Sequence, residues 1–223
     1  MAARSSRRRS NSKKANGPSR AARDPNETSG PTTLRIVGGS FRGRKIAYSG
    51  DRTVRPMKDR TREALFNLVG PDVKQMHAID LFGGTGALAI ESISRGAPSA
   101  TIIERHLPSS RIIRQNLKML DLEGRIQLIV GNAFAFGKKP DAPTDQPWLV
   151  FCCPPYRFFQ DKRDELVELV ENLYQLAPAT SQIVVEAEIG FDFQTLPFAE
   201  WDCRTYAPAL IGIADKPGPE DDA

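Results

Sequence analysis

The stretch HAIDLFGGTGALAIES, His77 to Ser92, decides the fold of this chain. Its opening part, His77 to Phe82, is the kind of short apolar run that fills a buried parallel strand. A glycine-rich turn follows at once over Gly83 to Gly86, and Ala87 to Ser94 is predicted to be a helix. Such a turn lets backbone amides approach a ligand without an intervening Cβ, and the helix N-terminus adds a partial positive charge. The stretch therefore predicts a binding site for a nucleotide-like ligand.

The identity of that ligand stays open at this level. The turn Gly84 to Gly86 with Ala89 matches the dinucleotide pattern G-x-G-x-x-G/A, and Glu104 supplies the acid expected about 20 positions further on. That acid contacts a ribose, which NAD and S-adenosylmethionine both contain. A glycine turn that binds no ligand explains the sequence less well, because the strand, the glycines, the helix and the acid occur in the order that a cofactor site requires. The pattern predicts an adenosine-type cofactor without separating the two.

The composition is that of an ordinary globular protein. With 223 residues the chain has room for one sizeable α/β domain and a tail, and no apolar run is long enough to span a bilayer. The three cysteines form no C-x-x-C pair, and no His cluster accompanies them. We therefore expect a soluble, cytoplasmic protein with reduced thiols and no metal, and structural roles for His77 and His106.

The charges are distributed unevenly along the chain. Residues 1–62 hold 17 Lys/Arg and 4 Asp/Glu, whereas the remainder holds 14 Lys/Arg and 23 Asp/Glu. A basic front end on an acidic body predicts a polyanionic partner such as nucleic acid.

Composition divides the chain into four segments. Residues 1–31 are poor in apolar side chains and are predicted to be a disordered basic arm, although a solvating tail or an organelle transit peptide has a similar composition. Residues 32–54 alternate apolar and polar side chains around two glycines, which predicts a basic β-hairpin. Residues 55–215 form the main domain, and residues 216–223 are predicted to be a frayed C-terminus.

Six basic side chains in the front part of the chain are candidates for nucleic-acid contacts. A helix is predicted over 57–69 with its basic residues on the wet sides. Solvation alone would explain a basic hairpin or a basic helix face. Both elements come just before the predicted cofactor strand, however, and this position favours a role in binding nucleic acid. The candidates are Arg42, Arg44, Lys45, Arg55, Arg60 and Arg62.

After the glycine turn, apolar strands alternate with amphipathic helices. This alternation predicts an α/β, Rossmann-like fold with a mostly parallel sheet and helices on both faces. Two short strands turning near Ala207-Pro208 are expected to close one edge as an antiparallel pair. The predicted helices cover 107–120 and 161–176, and the predicted strands cover 125–130, 148–152 and 182–187.

A second chemical motif, Cys153-Pro154-Pro155-Tyr156, follows the apolar strand at 148–152. It lies at the C-terminal end of a strand, where open α/β sheets bind ligands. The prolines fix φ and lack N–H groups, which leaves a rigid turn with outward carbonyl acceptors, and Tyr156 can stack on a base. A proline turn with a packed aromatic ring is the plain alternative. The motif suits the gripping of an exocyclic amine better than hydride transfer.

With these motifs the chain resembles the bacterial 16S ribosomal RNA (guanine-N2) methyltransferases of the small-subunit methyltransferase D type, which are class I S-adenosylmethionine-dependent enzymes. The resemblance covers about Leu34 to Ala214, and its first two segments are the most specific. The matching segments are L-R-I-V-G-G-S-F-R-G-R-K at 34–45, R-P-M-K-D-R-T-R-E-A-L-F-N at 55–67, D-L-F-G-G-T-G-A-L at 80–88, I-E at 103–104, N-A-F at 132–134, C-P-P-Y at 153–156 and V-E-A-E at 185–188.

The resemblance implies a class I methyltransferase fold with a seven-stranded sheet, S-adenosylmethionine as cofactor and methyl transfer to guanine N2 in 16S ribosomal RNA. The partner would be that RNA or an assembly intermediate of the small ribosomal subunit, and the protein would be a monomer. The methionine end of the cofactor would lie at the glycine turn, the ribose at Glu104 and the adenine at Asn132. The implied cofactor contacts are Asp80, Phe82, Gly83, Gly84, Gly86, Glu104, Asn132 and Ala133, and the implied catalytic residues are Cys153, Pro154, Pro155 and Tyr156.

Cys153 departs from the family pattern, which usually has Asp at this position. Strong acceptors on the hydrogens of an exocyclic amine favour the pyramidal form that attacks a sulfonium methyl, and a thiol accepts only weakly. Pro154 could act as the main acceptor with Cys153 as a weak or thiolate partner. Alternatively, Glu186 or Glu188 supplies a carboxylate, or the chain binds RNA without efficient catalysis.

Other functions compete with guanine methylation. An amino methyltransferase that acts on adenine in DNA or another RNA would also use the Pro-Pro-Tyr turn, although the segment at 55–67 argues against it. A non-catalytic RNA-binding factor in ribosome assembly could keep the cofactor fold. An NAD oxidoreductase fits least, because no acid/base pair for hydride transfer is visible.

Overall fold

A seven-stranded sheet forms the centre of this computed structural model, which describes residues 32–50, 56–196 and 198–218. The strand order is β5-β4-β3-β6-β7-β9-β8, with parallel pairing from β5 through β7 and antiparallel pairing of β9 with β7 and β8. The strands are β3 (His77–Asp80), β4 (Ala100–Glu104), β5 (Ile126–Val130), β6 (Trp148–Cys152), β7 (Gln182–Glu188), β8 (Asp202–Tyr206) and β9 (Ala209–Asp215). The predicted parallel sheet with an antiparallel pair at one edge is confirmed.

Helices cover both faces of the sheet, as the alternating pattern predicts. They are α1 (Asp59–Val69), α2 (Ala87–Ser94), α3 (Leu107–Met119), α4 (Ala133–Lys138), α5 (Phe158–Asp161) and α6 (Arg163–Leu176). Side chains of α1, α2 and α3 share one core, and side chains of α4, α5 and α6 share the core on the other face. The sequence pattern missed α4 and α5, because helices this short complete too few turns to show a period.

The predicted hairpin is confirmed and is docked firmly on the domain. Its strands β1 (Thr32–Arg35) and β2 (Lys45–Tyr48) pair antiparallel, and Ile46 is fully buried in the core that α1, α2 and α3 share. Asn116 on α3 closes the free edge of β2, since its side chain accepts from Ala47 N at 3.0 Å and donates to Ala47 O at 2.7 Å. The backbone N–H and C=O of Ala47 are therefore both satisfied by the domain, which fixes the hairpin beside α3.

The prediction that Arg62 lies on a wet side of its helix is wrong. Arg62 is only 1% exposed, because Leu65 and Phe66 follow it by three and four positions and share its buried face. Its guanidinium donates to Arg35 O at 2.5 Å and lies 3.5 Å from the carboxylate of Glu91. Arg62 therefore links α1 to the hairpin and to α2, and it is unavailable for RNA contact.

Glu91 is the fully buried centre of this link. Its carboxylate accepts from Val37 N at 3.0 Å and from Gly38 N at 2.6 Å, and Arg95 on the same helix approaches to 3.2 Å. A buried carboxylate needs paired charges and hydrogen bonds of this kind, so the network determines where the hairpin sits on α2.

The C-terminal part of the described chain is more ordered than predicted. Lys216, which was expected to fray, donates from Nζ to Tyr174 O, Gln175 O and Ala177 O at 2.9, 2.9 and 2.6 Å. It thereby satisfies carbonyl groups at the end of α6. Arg55, the predicted arm at 1–31 and the last residues of the chain lie outside the described residues. Within the described ranges no helix has the length and apolar character needed to cross a membrane.

Candidate active site

The two predicted chemical motifs meet at one edge of the sheet. The glycine turn follows β3 and the Cys-Pro-Pro-Tyr turn follows β6, and these strands are direct parallel neighbours with Asp80 paired to Phe151. Strand order runs to β4 and β5 on one side of this pair and to β7 on the other, so the motifs lie at the switch point where open α/β sheets bind ligands. The sequence prediction that they share a site agrees with this placement.

The glycine turn is packed closely against β4. Gly83 N donates to Ile103 O at 2.9 Å, and a Cβ on Gly83 would lie 2.4 Å from the side chain of Ile102. Gly86 adopts a left-handed φ of +74° and leads directly into α2. These two glycines are therefore needed for close strand contact and for the turn itself, in addition to any ligand.

Asp80 is the most distinctive polar group of the turn. It is 2% exposed, and within the described residues its Oδ1 has no hydrogen-bond partner. Burial, together with the negative charge of Glu104, raises the pKa of Asp80 to about 7, although backbone N–H groups of Ala89 and Phe82 oppose the shift. A buried acceptor left without a partner indicates a ligand that brings a donor or a positive charge.

Glu104 lies where the pattern requires it, at the end of β4 beside the glycine turn. Its carboxylate accepts from Gly84 N and from His106 N, both at 2.6 Å. Sequence reasoning missed these two bonds, which hold the carboxylate between the turn and the start of α3. Each carboxylate oxygen keeps a second lone pair, so a ribose hydroxyl can still be accepted there.

The expected adenine border is formed by the start of α4. Asn132 caps this helix by accepting from Phe134 N at 3.1 Å, and Gly131 N donates to Glu104 O, which brings the loop beside Glu104. Ala133 is buried. Phe82 packs edge-on against the rings of Phe134 and Phe158, each with a centroid distance of 6.1 Å. This cluster forms a rigid wall next to the turn.

The two proline carbonyl groups of the Pro-Pro turn differ in their hydrogen bonding. Pro155 O accepts from Phe158 N at 2.8 Å and starts α5. In the described part of the chain no backbone amide bonds to Pro154 O, which leaves it available as an acceptor. Pro154 is buried, whereas Tyr156 keeps part of its surface exposed.

Glu186 lies beside this turn, as one interpretation of the sequence required. It is on β7, which pairs with β6, and it accepts from the Tyr156 hydroxyl at 3.1 Å. Glu188, the other carboxylate considered, is exposed at the end of the strand.

Cys153 is held as a neutral thiol. Burial raises its pKa well above the ordinary range, and the charges of Glu186 and Asp80 raise it further. The raised pKa of Cys153 disfavours a thiolate at this turn, and Glu186 offers a carboxylate beside it.

The two histidines have structural surroundings, as expected. His77 contacts Ser99 Oγ through Nδ1 at 2.8 Å and Thr101 Oγ1 through Nε2 at 3.0 Å, and burial lowers its pKa to about 4. His106 contacts Ser109 Oγ at 3.0 Å in the first turn of α3. Within the described residues no group of three or more His, Cys, Asp or Glu side chains could hold a metal ion.

The hairpin cations flank the pocket and do not line it. Arg42, Arg44 and Lys45 are exposed, and their loop is held at the far end of α2, where Phe41 N donates to Ser94 Oγ at 2.9 Å. The glycine turn precedes the other end of the same helix, about 12 Å away at 1.5 Å per residue. Arg60 on α1 is also exposed.

Comparisons with known proteins give consistent matches. The family described as Conserved hypothetical protein 95 matches residues 34–201. Ribosomal RNA small subunit methyltransferase D of Escherichia coli strain K12 is 35% identical over 173 residues, which cover 78% of this chain and 83% of that protein. The solved structure of Escherichia coli yhhF superimposes with a TM-score of 0.68 at 30% identity, covering 84% of this chain and 99% of that one.

A more distant solved structure shares the fold alone. It is the 16S rRNA N2 G1207 methyltransferase (RsmC) of T. thermophilus in complex with AdoMet and guanosine, with a TM-score of 0.64 at 16% identity. The match covers 83% of this chain and 50% of that chain.

Proposed function

Because this chain belongs to the family that contains ribosomal RNA small subunit methyltransferase D, we propose that it transfers a methyl group from S-adenosylmethionine to N2 of a guanine in 16S ribosomal RNA. One observation carries the proposal. A buried carboxylate oxygen without a partner, Oδ1 of Asp80, and a partly exposed aromatic ring, on Tyr156, lie at the ends of two neighbouring parallel strands at the same edge of the sheet.

The cofactor side fits S-adenosylmethionine by its donors and acceptors. Asp80 Oδ1 is a buried acceptor that suits the ammonium group of the methionine moiety, and Glu104 lies beside it to accept from ribose hydroxyls. Asn132 and Ala133 begin α4 at the position expected for the adenine. When bound, the cofactor supplies an activated methyl group on a sulfonium.

The acceptor side fits a flat purine that carries an exocyclic amine. Tyr156 offers a ring face for stacking a base splayed from the RNA, which is how enzymes reach base atoms. Pro154 O and Glu186 can accept hydrogen bonds from the amine hydrogens, which frees its lone pair to attack the methyl group. Positioning of the two reactants at adjoining turns then supplies most of the acceleration.

A neutral Cys153 shifts the acceptor role to its neighbours. Because a thiol is a weak acceptor, a neutral Cys153 contributes little to holding the amine. Glu186 provides the carboxylate at this turn from the adjacent strand and takes the proton that the amine loses after methyl transfer.

A transfer assay tests the function directly. Full-length protein would be incubated with tritium-labelled S-adenosylmethionine and either immature small subunits or naked 16S ribosomal RNA, and the RNA would be digested to nucleosides. We expect tritium in N2-methylguanosine. Tritium in methyladenosine would refute the guanine assignment and support the adenine alternative.

The neutral thiol favours one second candidate, a non-catalytic RNA-binding assembly factor. It would bind immature subunits through the same surface without modifying them. No incorporation into either substrate, together with intact RNA binding, would support the assembly factor and exclude the enzyme.

A further inference from the structure

Helix α3 carries an exposed stripe of cations that the mechanism above does not use. Arg111, Arg114 and Lys118 are all exposed and follow one another by three and four positions, so they lie along one face, here called the α3 stripe. Ile113 and Leu117 on the opposite face are buried. The stripe therefore faces solvent along most of the helix.

Helix α3 and the residues next to it are positively charged, whereas the rest of the domain is acidic. Residues 105–120 contain four Lys/Arg and no Asp/Glu, whereas residues 63–223 as a whole contain 14 Lys/Arg and 23 Asp/Glu. An isolated positive stretch on an acidic domain concentrates a local field that attracts anions.

The three cations lack ion-pair partners in the described part of the chain. Lys138 on α4 and Lys162 before α6, on the other face of the sheet, pair with Glu168 at 3.8 Å and with Glu165 at 2.8 Å. No comparable pair involves the α3 stripe among the residues that the structure describes. Its charges are free to engage an external polyanion.

The basic hairpin docks on a different side of α3 from the stripe. Asn116, which is buried, holds Ala47 of β2 by two hydrogen bonds. At about 100° per residue Asn116 lies roughly opposite the stripe, so the α3 stripe is a cationic surface separate from that of the hairpin.

The α3 stripe begins near the pocket. Helices α2 and α3 each join the end of one parallel strand to the start of the next, so both run away from the edge that carries the glycine turn. The hairpin loop packs at the far end of α2, whereas α3 begins three residues after Glu104. Within the stripe Arg111 is thus nearest the pocket and Lys118 farthest from it, about 10 Å apart along the helix.

We propose that the α3 stripe binds the phosphate backbone of the substrate RNA beside the edge of the sheet where the base is modified. The inference rests on the proposed function, because it assumes that the polyanion is the RNA substrate. It assigns to α3 the contacts with the RNA backbone near the pocket. The hairpin loop cannot make these contacts, because it lies at the far end of α2.

The test compares two triple variants of the full chain that lose the same charge. One is Arg111→Gln, Arg114→Gln and Lys118→Gln; the control is Lys138→Gln, Lys139→Gln and Arg163→Gln on the opposite face of the sheet. Affinity for a 16S ribosomal RNA fragment would be measured between 50 and 200 mM salt, with cofactor affinity and thermal unfolding as checks on folding.

Counterion release gives the expected size of the effect. Each phosphate contact contributes a slope of about 0.7 to 0.9 in log affinity against log salt, or roughly five- to eightfold at 0.1 M. The α3 variant should lose on the order of 100-fold in RNA affinity at 0.1 M salt and about two units of slope. It should raise KM for RNA with little change in kcat, and the control should change affinity only slightly.

A charge-preserving variant, Arg111→Lys with Arg114→Lys, should keep the salt slope. Equal small losses in the α3 variant and the control would overturn this inference while leaving methyl transfer by the wild-type protein intact. A wild-type protein that neither binds RNA nor methylates it would overturn both the inference and the proposed function.

Discussion

The two turns at the edge of the sheet differ in where their charged groups come from. On the cofactor side, Asp80 ends β3 itself, and Glu104 is held by the amide of Gly84 in the turn and by that of His106. On the other side, the turn begins with a neutral thiol at Cys153, and its carboxylate comes from Glu186 on the neighbouring strand.

The two turns therefore differ in how many structural elements supply their charged groups. The proposed cofactor side has its candidate recognition groups within one strand, one turn and the next strand end, so we expect it to tolerate little change. The proposed acceptor side divides its candidate groups between the turn after β6 and strand β7, so a polar group can be lost from one while the other keeps it. We therefore expect severe effects of substitution at the first turn and graded effects at the second.

The largest effect is expected from Asp80→Asn. It removes the buried charge proposed to meet an ammonium, and loss of one partner of a buried charge pair costs about 2 to 5 kcal/mol. S-adenosylmethionine affinity measured by calorimetry should fall between about 30-fold and a few thousandfold. Asp72→Asn, an exposed control of the same charge change, should leave affinity unchanged. Unaltered affinity in the Asp80 variant would show that the carboxylate serves packing only.

The next effect is expected from Glu186→Gln, which keeps the size of the side chain but weakens the acceptor. Loss of a polar group of this kind lowers kcat by on the order of 100-fold. Cofactor affinity should not change, because Glu186 lies on the acceptor side. Glu188→Gln on the same strand is the matched control and should retain full kcat. Equal activity of both variants would leave Pro154 O as the sole acceptor.

The pH dependence of cofactor binding should follow the ionisation of the Asp80 carboxyl. Because its pKa is raised to about 7, the carboxyl is mostly protonated at pH 6 and ionised at pH 8. Affinity for the cationic cofactor should rise about tenfold over this range, with release of a proton on binding below pH 7. Calorimetry in two buffers of different ionisation enthalpy measures that proton, and a flat profile in the wild-type protein would contradict the assignment.

In the absence of cofactor, the raised pKa of Asp80 makes the folded protein less stable as the pH rises. The folded pKa of Asp80 exceeds the ordinary value of 3.8. Its contribution to stability is therefore fully present below pH 4 and is lost as the pH rises towards 7. Asp80→Asn should remove this dependence, which urea unfolding at several pH values would show.

The smallest effect is expected from Cys153→Asp, which restores the residue usual in the family. The variant should be at least as active as the wild-type protein in single-turnover methyl transfer, with a gain limited by the negative charges of Glu186 and Asp80. Cys153→Ser, a neutral substitution of similar size, should change little. An inactive Asp variant would show that this turn uses different chemistry.

The sequence predicted the local structure of the glycine turn better than the contacts of the Pro-Pro turn, for physical reasons. His77 to Ser94 has a strong apolar pattern with glycines at fixed positions, so strand, turn and helix were all visible. The bond between Tyr156 and Glu186 joins residues 30 positions apart, and only the pairing of two strands brings them together. A single sequence allowed Glu186 as one of several possibilities but could not select it.

Charged residues produced the clearest errors. Arg62 was expected on a wet face because arginine is usually exposed, whereas its spacing from Leu65 and Phe66 placed it on the buried face. Lys216 was assigned to a frayed end, but its ammonium caps α6. The spacing of Arg62 was visible in the sequence, but its partners Arg35 O and Glu91, and the carbonyl groups that Lys216 caps, are distant in sequence and leave no local signal.

The most direct test is a structure of this protein with S-adenosylhomocysteine and guanosine bound. We expect the cofactor ammonium within hydrogen-bond distance of Asp80 Oδ1, the guanine ring on the face of Tyr156, and guanine N2 directed at the cofactor sulfur between Pro154 O and Glu186. A guanosine on the opposite face of the sheet, or a cofactor that leaves Asp80 without a partner, would contradict it.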